Sequence, residues 1–392
     1  MTFNVLPCLE ALRHAKRPVL VYGWGIHLAN AEAEAIRLAY ELGVPVALTW
    51  GARDLILDTN PLNIGGFGTH GTRYANFAVQ NADWILSVGS RLDSKATGTP
   101  VESFARGAKI WMVDIDQNEL DKFKGRVNGI CQDAKEFFKD AITEAEEIKF
   151  NSFKEWINKI YYWQKKYPAC LPEYHKEEGV NPYVFVDKLS DLLTLDDIIV
   201  SDTGCALAWM MQAFRFKGQR FIHAFNQTPM GYGLPAAIGA YFATGKRVIL
   251  ITGDGSFQMS IAELATVRKH NLPIKIILFN NQGHAMCRQT EREWMGGEYY
   301  STTNRDLAIP NFQEIAEAYG LRTGGLRSRD MTDTMLRYLF ESTEPSFLEV
   351  FVDPEAEVIP KVKYGHANED GFPYLSEEEL KSNMMIPLYK TN

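Results

Sequence analysis

Residues Gly253 to Gln282 read GDGSFQMSIAELATVRKHNLPIKIILFNNQ. A Gly-Asp-Gly turn closes an apolar strand, Val248 to Thr252, and an Asn pair closes a second one, Ile274 to Phe279. A helix-like segment of suitable length lies between them, so the stretch predicts one βαβ unit with an oxygen ligand at each strand end. Asp254 supplies a carboxylate and Asn281 a side-chain carbonyl. Hard oxygens of this kind suit Mg²⁺, which keeps few protein ligands and takes the rest from phosphates and water. Gly253 and Gly255 let the backbone approach a diphosphate closely. Ser256 is expected to open the following helix, whose amides can hold an anion. Either half alone also fits an ordinary turn, and both halves at this separation favour the site.

The rest of the chain bounds the answer. Its 392 residues are enough for two or three domains. A net charge of −8, with no basic run, argues against nucleic-acid binding. Five scattered cysteines form no CxxC pair, so neither a zinc site nor a disulfide framework is indicated, and reduced thiols in the cytoplasm are expected. No signal-peptide pattern and no apolar run long enough to span a bilayer is seen, so no membrane partner is expected.

Alternating strands and helices predict an α/β protein with two doubly wound, mostly parallel-sheet domains joined by a helical connector. The first domain covers residues 1–148, with strands at Pro18 to Gly23, Pro45 to Thr49, Trp84 to Val88 and Ile110 to Ile115. Asp133 is placed to cap a helix running to about Glu147. Residues 149–180 form the connector, with Trp156, Tyr161, Tyr162 and Trp163 packing on a neighbour. The second domain covers 181–353, with strands at Asp197 to Ser201, Arg247 to Thr252, Ile274 to Phe279 and Phe347 to Phe351. Residues 354–392 read as a tail that wraps a surface or closes over a site.

The Gly253–Gln282 stretch resembles the thiamine diphosphate fingerprint, GDG followed by a spacer of under thirty residues and NN. FGTHGTRYANFAVQNADWILSVGSRLDSKATG, Phe67 to Gly98, looks like the central domain of acetolactate synthase and its relatives, and TPMGYGLPAAIGA, Thr228 to Ala240, looks like their segment before GDG. The likeness runs from about Cys8 to the tail. Members of that family have pyrimidine-binding, central and diphosphate-binding domains, and this chain resembles the last two. The resemblance therefore implies a split enzyme, with a separate pyrimidine-binding-domain subunit supplying the activating glutamate; a shortened chain is the alternative. It also implies that the site lies between protomers, hence a homodimer or a higher hetero-oligomer.

By the same resemblance, Mg²⁺ is held by Asp254, Asn281 and the carbonyl of Gly283. Thiamine diphosphate is contacted by Thr203, Gly204, Cys205, Ala206, Gly255 and Ser256 at its phosphates, by Thr228 and Met230 at its pyrimidine edge, and by His284, Ala285 and Met286. Met230, His284 and Met286 are the residues placed nearest the chemistry; plain core packing and simple exposure are the other readings of Met230 and His284. Acetolactate synthases carry Gln-His where this chain has Cys205-Ala206, and a Trp where it has Thr290. FAD is the further cofactor the resemblance suggests, with Gly23, Gly25, Gly68, His70, Gly89, Arg91, Asp93, Asp114 and Asp133 as candidate contacts. The implied function is a cytoplasmic subunit of a 2-keto acid decarboxylase and carboligase. It would pass a two-carbon unit from pyruvate to a carbonyl acceptor, with a keto-sugar fitting the loss of the Trp. The alternatives are acetolactate synthase, a simple 2-keto acid decarboxylase, and a non-catalytic cofactor-binding or regulatory subunit.

Overall fold

The structure, a computed structural model, describes residues 5–123 and 125–390. The chain divides into two compact units, Met1–Ala169 with Ile359–Asn392, and Cys170–Val358. The boundary at residues 169 and 170 falls inside the expected connector. The connector helix Lys154–Lys166 buries Trp156, Ile160 and Trp163 in the first unit. The Trp156 indole donates to the Pro18 carbonyl at 3.1 Å, and the Trp163 indole to Asn383 Oδ1 at 2.9 Å. That second bond, with Asn81 donating to the Asn383 carbonyl at 3.0 Å, fixes the tail on the first unit.

The first unit holds strands β1 (Pro18–Tyr22), β2 (Val46–Leu48), β3 (Asn63–Gly66), β4 (Trp84–Val88), β5 (Lys109–Asp114) and β6 (Val127–Cys131). They form one parallel sheet in the order β3-β2-β1-β4-β5-β6, that of doubly wound nucleotide-binding sheets. The second unit holds β7 (Ile198–Ser201), β8 (Arg220–His223), β9 (Val248–Gly253), β10 (Ile274–Asn280), β11 (Arg322–Leu326) and β12 (Ser346–Phe351). These too are all parallel, in the order β11-β12-β10-β9-β7-β8. The inner strands are near-continuous apolar runs because helices cover both faces of such sheets. Every residue of β1, β4, β7 and β10 is buried. A short antiparallel pair, β13 (Lys361–Val362) and β14 (Gly371–Phe372), lies in the tail.

Eight of the twelve strands of the two sheets are those expected from the sequence. The other four, β3, β6, β8 and β11, are the two edges of each sheet. The helical segment after β9 also differs from expectation. Helical geometry begins at Asp254 rather than Ser256, runs only to Gln258, and resumes as a 3₁₀ turn at Ile261–Glu263 and a helix at Leu264–Lys269. Gly253, in extended conformation, is its N-cap.

Candidate functional site

The second sheet changes direction between β7 and β9. From β7 the chain moves outward to β8, then returns across the sheet to β9. Such a reversal opens a crevice at the carboxyl ends of the strands, where ligands of α/β sheets sit. The residues following β7, β9 and β10 meet there.

Asp254 follows β9 and is 2 % exposed. Its Oδ1 accepts from the Gly255 amide at 2.7 Å and its Oδ2 from the Gly283 amide at 3.1 Å. The two predicted halves of the fingerprint are thus brought into contact. Burial pushes the Asp254 carboxyl up to about 6, opposed by the amides of Gly283, Gly255, Asn281 and Gln282. Asn281 is 5 % exposed, and its Oδ1 is buried without a hydrogen-bond partner. An amide oxygen in that state is costly unless something accepts its lone pairs. Gly283 sits at φ +148°, and a Cβ there would lie 2.4 Å from the Thr302 carbonyl, so the turn admits only glycine. An aspartate, an orphaned amide oxygen and a glycine turn form an oxygen-only donor set, which fits a hard divalent ion. No group of three or more His, Cys, Asp or Glu side chains fit to cage a metal occurs among the described residues. A metal here would have to complete its shell with oxygens from a ligand, as Mg²⁺ on a diphosphate does.

After β7, Gly204 at φ +87° precedes the helix Cys205–Ala213, and Cys205 and Ala206 form its buried first turn. Asp202, which the sequence reading passed over, is the organiser of this side. It is 1 % exposed; its Oδ1 accepts from the Thr203 amide at 2.8 Å and its Oδ2 from the Gly233 amide at 2.9 Å. The Ser256 hydroxyl and the Gly231 amide also bond to it, while burial holds its carboxyl above the usual range. Asp202 thereby ties the end of β7 both to the segment after Met230 and to the turn after β9. Only its place directly after an apolar strand hinted at such a role. Two buried carboxyls with raised pKa, just past the ends of neighbouring strands, mark this end of the sheet as a candidate functional site.

Thr228 adopts φ +47° and Gly231 φ +82°, a sharp double bend around Met230. A Cβ on Gly255 would meet the His284 ring at 2.5 Å and the Met230 methyl at 3.2 Å. Met230, Gly255 and His284 are therefore neighbours, and burial lowers the His284 pKa. The Gly255 amide, expected to face a phosphate, donates to Asp254 instead. Ala285 and Met286 begin the helix Ala285–Trp294, where the Thr290 hydroxyl donates back to the Met286 carbonyl at 3.0 Å.

The residues named for FAD lie in the first unit, and their geometry serves turns. Asp93, Asp114 and Asp133 accept from the nearby backbone amides of Lys95, Asp116 and Lys135. A Cβ on Gly23, Gly25 or Gly89 would collide with the backbone of the facing turn, and one on Gly68 would lie 2.2 Å from the Lys95 carbonyl. The His70 ring packs edge-on against Trp50, and Arg91 lies beside Asp93. These contacts are internal to the turns of the first unit, and no step is derived through a flavin. No helix among the described residues is long and apolar enough to cross a membrane.

Residues 6–141 match the thiamine pyrophosphate enzyme central domain, and residues 202–350 match the thiamine pyrophosphate enzyme C-terminal TPP binding domain. The chain is 31 % identical to the acetolactate synthase large subunit of Cyanidium caldarium, over 92 % of this chain and 61 % of that protein. It is 32 % identical to the probable acetolactate synthase large subunit of Methanocaldococcus jannaschii, over 91 % of this chain and 61 % of that protein. Identity to the chloroplastic acetolactate synthase 2 of Nicotiana tabacum is 32 %, over 92 % of this chain and 55 % of that protein. The chain thus spans less than two thirds of the length of these relatives. One family accounts for both parallel sheets, and its cofactor-binding domain falls on the unit that brings Asp254, Asn281 and Met230 to one end of a sheet: the chain belongs to the thiamine pyrophosphate enzymes.

Proposed function

We propose that this chain is the cofactor-holding subunit of a thiamine diphosphate- and Mg²⁺-dependent 2-keto acid decarboxylase and carboligase, cytoplasmic and of acetolactate-synthase type. The observation that carries the proposal is the buried, unbonded Asn281 Oδ1 in the turn whose Gly283 amide meets the Asp254 carboxylate. In this reading Asp254, Asn281 and the Gly283 carbonyl hold Mg²⁺. The turn Thr203–Ala206 and Ser256 hold the diphosphate, and Thr228 and Met230 hold the pyrimidine edge. The chemistry that thiamine diphosphate supplies when bound is loss of CO₂ from a 2-keto acid and transfer of the remaining fragment to a carbonyl acceptor. The chain's own contribution is binding, orientation and exclusion of water. Asp202 fixes the bend that presents Met230. Ala285 and Met286 add apolar wall beside His284.

Pyruvate is the proposed donor. Thr290, in the position where acetolactate synthases carry a Trp, leaves room for an acceptor larger than a second keto acid, such as a keto-sugar. A second reading, acetolactate synthase itself, is favoured by the names of the relatives. The activating glutamate is proposed to reside on a separate polypeptide with a pyrimidine-binding domain. The helix Gly233–Thr244 supports association of this kind. Gly233, Leu234, Ala237 and Ala240 bury one face, whereas Phe242 on the opposite face is 60 % exposed and Pro235 and Gly239 are exposed with it. An apolar face of that sort is a contact surface.

The test is co-expression with the partner polypeptide, followed by an assay of CO₂ release from pyruvate and analysis of the product. Cofactor-dependent CO₂ release with a branched sugar supports the carboligase reading, and acetolactate supports the second reading. Thiamine diphosphate binding by calorimetry without CO₂ release from any 2-keto acid would leave a non-catalytic, regulatory subunit. FAD stands as a further proposed cofactor of the first unit, and flavin absorbance of the purified chain tests it.

A further inference from the structure

The first asparagine of the pair, Asn280, and a glutamate on the next strand, Glu349, are joined in a relay that the functional reading above leaves unused. Glu349 lies on β12, is 1 % exposed, and faces the end of β10. Its Oε1 accepts from Asn280 Nδ2 at 2.7 Å, and Asn280 Oδ1 accepts from the Gln282 amide at 3.0 Å. Gln282 adopts φ +56°, a conformation that non-glycine residues hold only when their surroundings impose it. The next amide, that of Gly283, donates to Asp254.

The donor–acceptor logic of this chain runs one way. Glu349 Oε1 accepts from the Asn280 NH₂, which is thereby turned toward β12. The Asn280 oxygen must then face the Gln282 amide, and that bond stabilises the left-handed conformation at Gln282. The reversed amide would set donor against donor at Gln282. We propose that Asn280 and Glu349 are positioning residues for the metal: by locking the turn at Gln282 they aim Asn281 Oδ1 and the Gly283 carbonyl at one point. This inference rests on the reading of Asn281 and Gly283 as ligands. Partners of this outer kind commonly change metal affinity by about 10–100-fold when removed.

The test uses the full-length chain, Mn²⁺ as the probe with thiamine diphosphate present, and two readouts: free Mn²⁺ by electron paramagnetic resonance, and amide hydrogen exchange at Gln282 without metal. Glu349→Leu and Asn280→Ala should each weaken Mn²⁺ binding about tenfold and raise exchange at Gln282. Glu349→Gln, which can still present an acceptor oxygen to Asn280, should stay within about threefold of the parent. That rescue separates positioning from loss of packing. Should Glu349→Leu fail to fold, Asn280→Ala carries the same test. Asp254→Asn should lose Mn²⁺ with a smaller rise in exchange at Gln282 than the relay variants show, because the Asn280 acceptor stays in place. If Asp254→Asn binds Mn²⁺ as the parent does, or the parent binds none, the ligand assignment falls and the inference with it. If only Asp254→Asn loses the metal and the relay variants keep parental affinity, the inference alone is overturned.

Discussion

The Asp202 carboxylate accepts the Gly233 amide at 2.9 Å, joining the end of β7 to the start of the helix that leads into β9. Because Asp202 also holds the part-buried Thr203 amide, its removal strands that donor and the buried Gly233 amide. Leaving a buried donor unpaired costs on the order of 1–3 kcal/mol. Asp202→Ala should therefore lower the unfolding free energy of the second unit, read from urea titration, by an amount in that range or above it, and weaken thiamine diphosphate binding further as the Met230 bend relaxes. Denaturation followed by tryptophan fluorescence checks the first effect, and calorimetry the second.

Gly255 tests the crowding around His284. An alanine there would place Cβ 2.5 Å from the His284 ring, so the ring must move, and the Met230 methyl at 3.2 Å must give as well. Gly255→Ala should bind thiamine diphosphate at least about tenfold more weakly, a loss of about 1.4 kcal/mol, with the melting temperature of the free chain little changed. Unaltered affinity would show that His284 and Met230 are not part of the cofactor wall.

How much of this was legible in the sequence follows from where each residue sits. The apolar inner strands announced themselves, because strands buried on both faces are near-continuous hydrophobic runs. The four strands that escaped are edges, and an edge needs fewer apolar residues. In β6 Asn128 and Gly129 are exposed, and β11 reads Arg-Thr-Gly-Gly-Leu. In β3 two of four residues are glycine, a residue depleted in strands. Asp254 and Asn281 were legible because their roles are tied to a fixed pattern. Asp202, Asn280 and Glu349 were not, since their roles come from hydrogen bonds between strands that are distant in sequence and adjacent only in the folded sheet.

Acid should destabilise the first unit through His70. Burial, then Lys361 and Lys95, lower its pKa to about 3. A base whose folded pKa lies below its unfolded value of about 6.5 takes up protons on unfolding between the two. Stability is thus full above about pH 6.5 and falls as pH drops toward 3, by on the order of 1 kcal/mol per pH unit for one proton. His70→Gln should flatten this dependence between pH 6.5 and 5. Parallel urea titrations of parent and variant at those two pH values measure it.

Phe242 tests assembly. Phe242 is 60 % exposed on an otherwise apolar helix, with the rings of Tyr241 and His270 beside it, so Phe242→Glu removes little packing of the single chain. The variant should match the parent in stability to within about 0.5 kcal/mol, as surface changes do. It should nevertheless shift the purified protein, alone or with its partner, to smaller species by light scattering. Retention of the parental mass would place the contact surface elsewhere.

The central claim is that Asp254, Asn281 and the Gly283 carbonyl hold one divalent ion against a diphosphate. The most direct measurement is an anomalous diffraction map from crystals of the chain grown with Mn²⁺ and thiamine diphosphate. The account predicts a strong peak bonded to all three oxygens at about 2.1–2.2 Å, near the distance that Mg²⁺ keeps. A diphosphate bound with no peak at Asp254, or with the metal held by other residues, would contradict it.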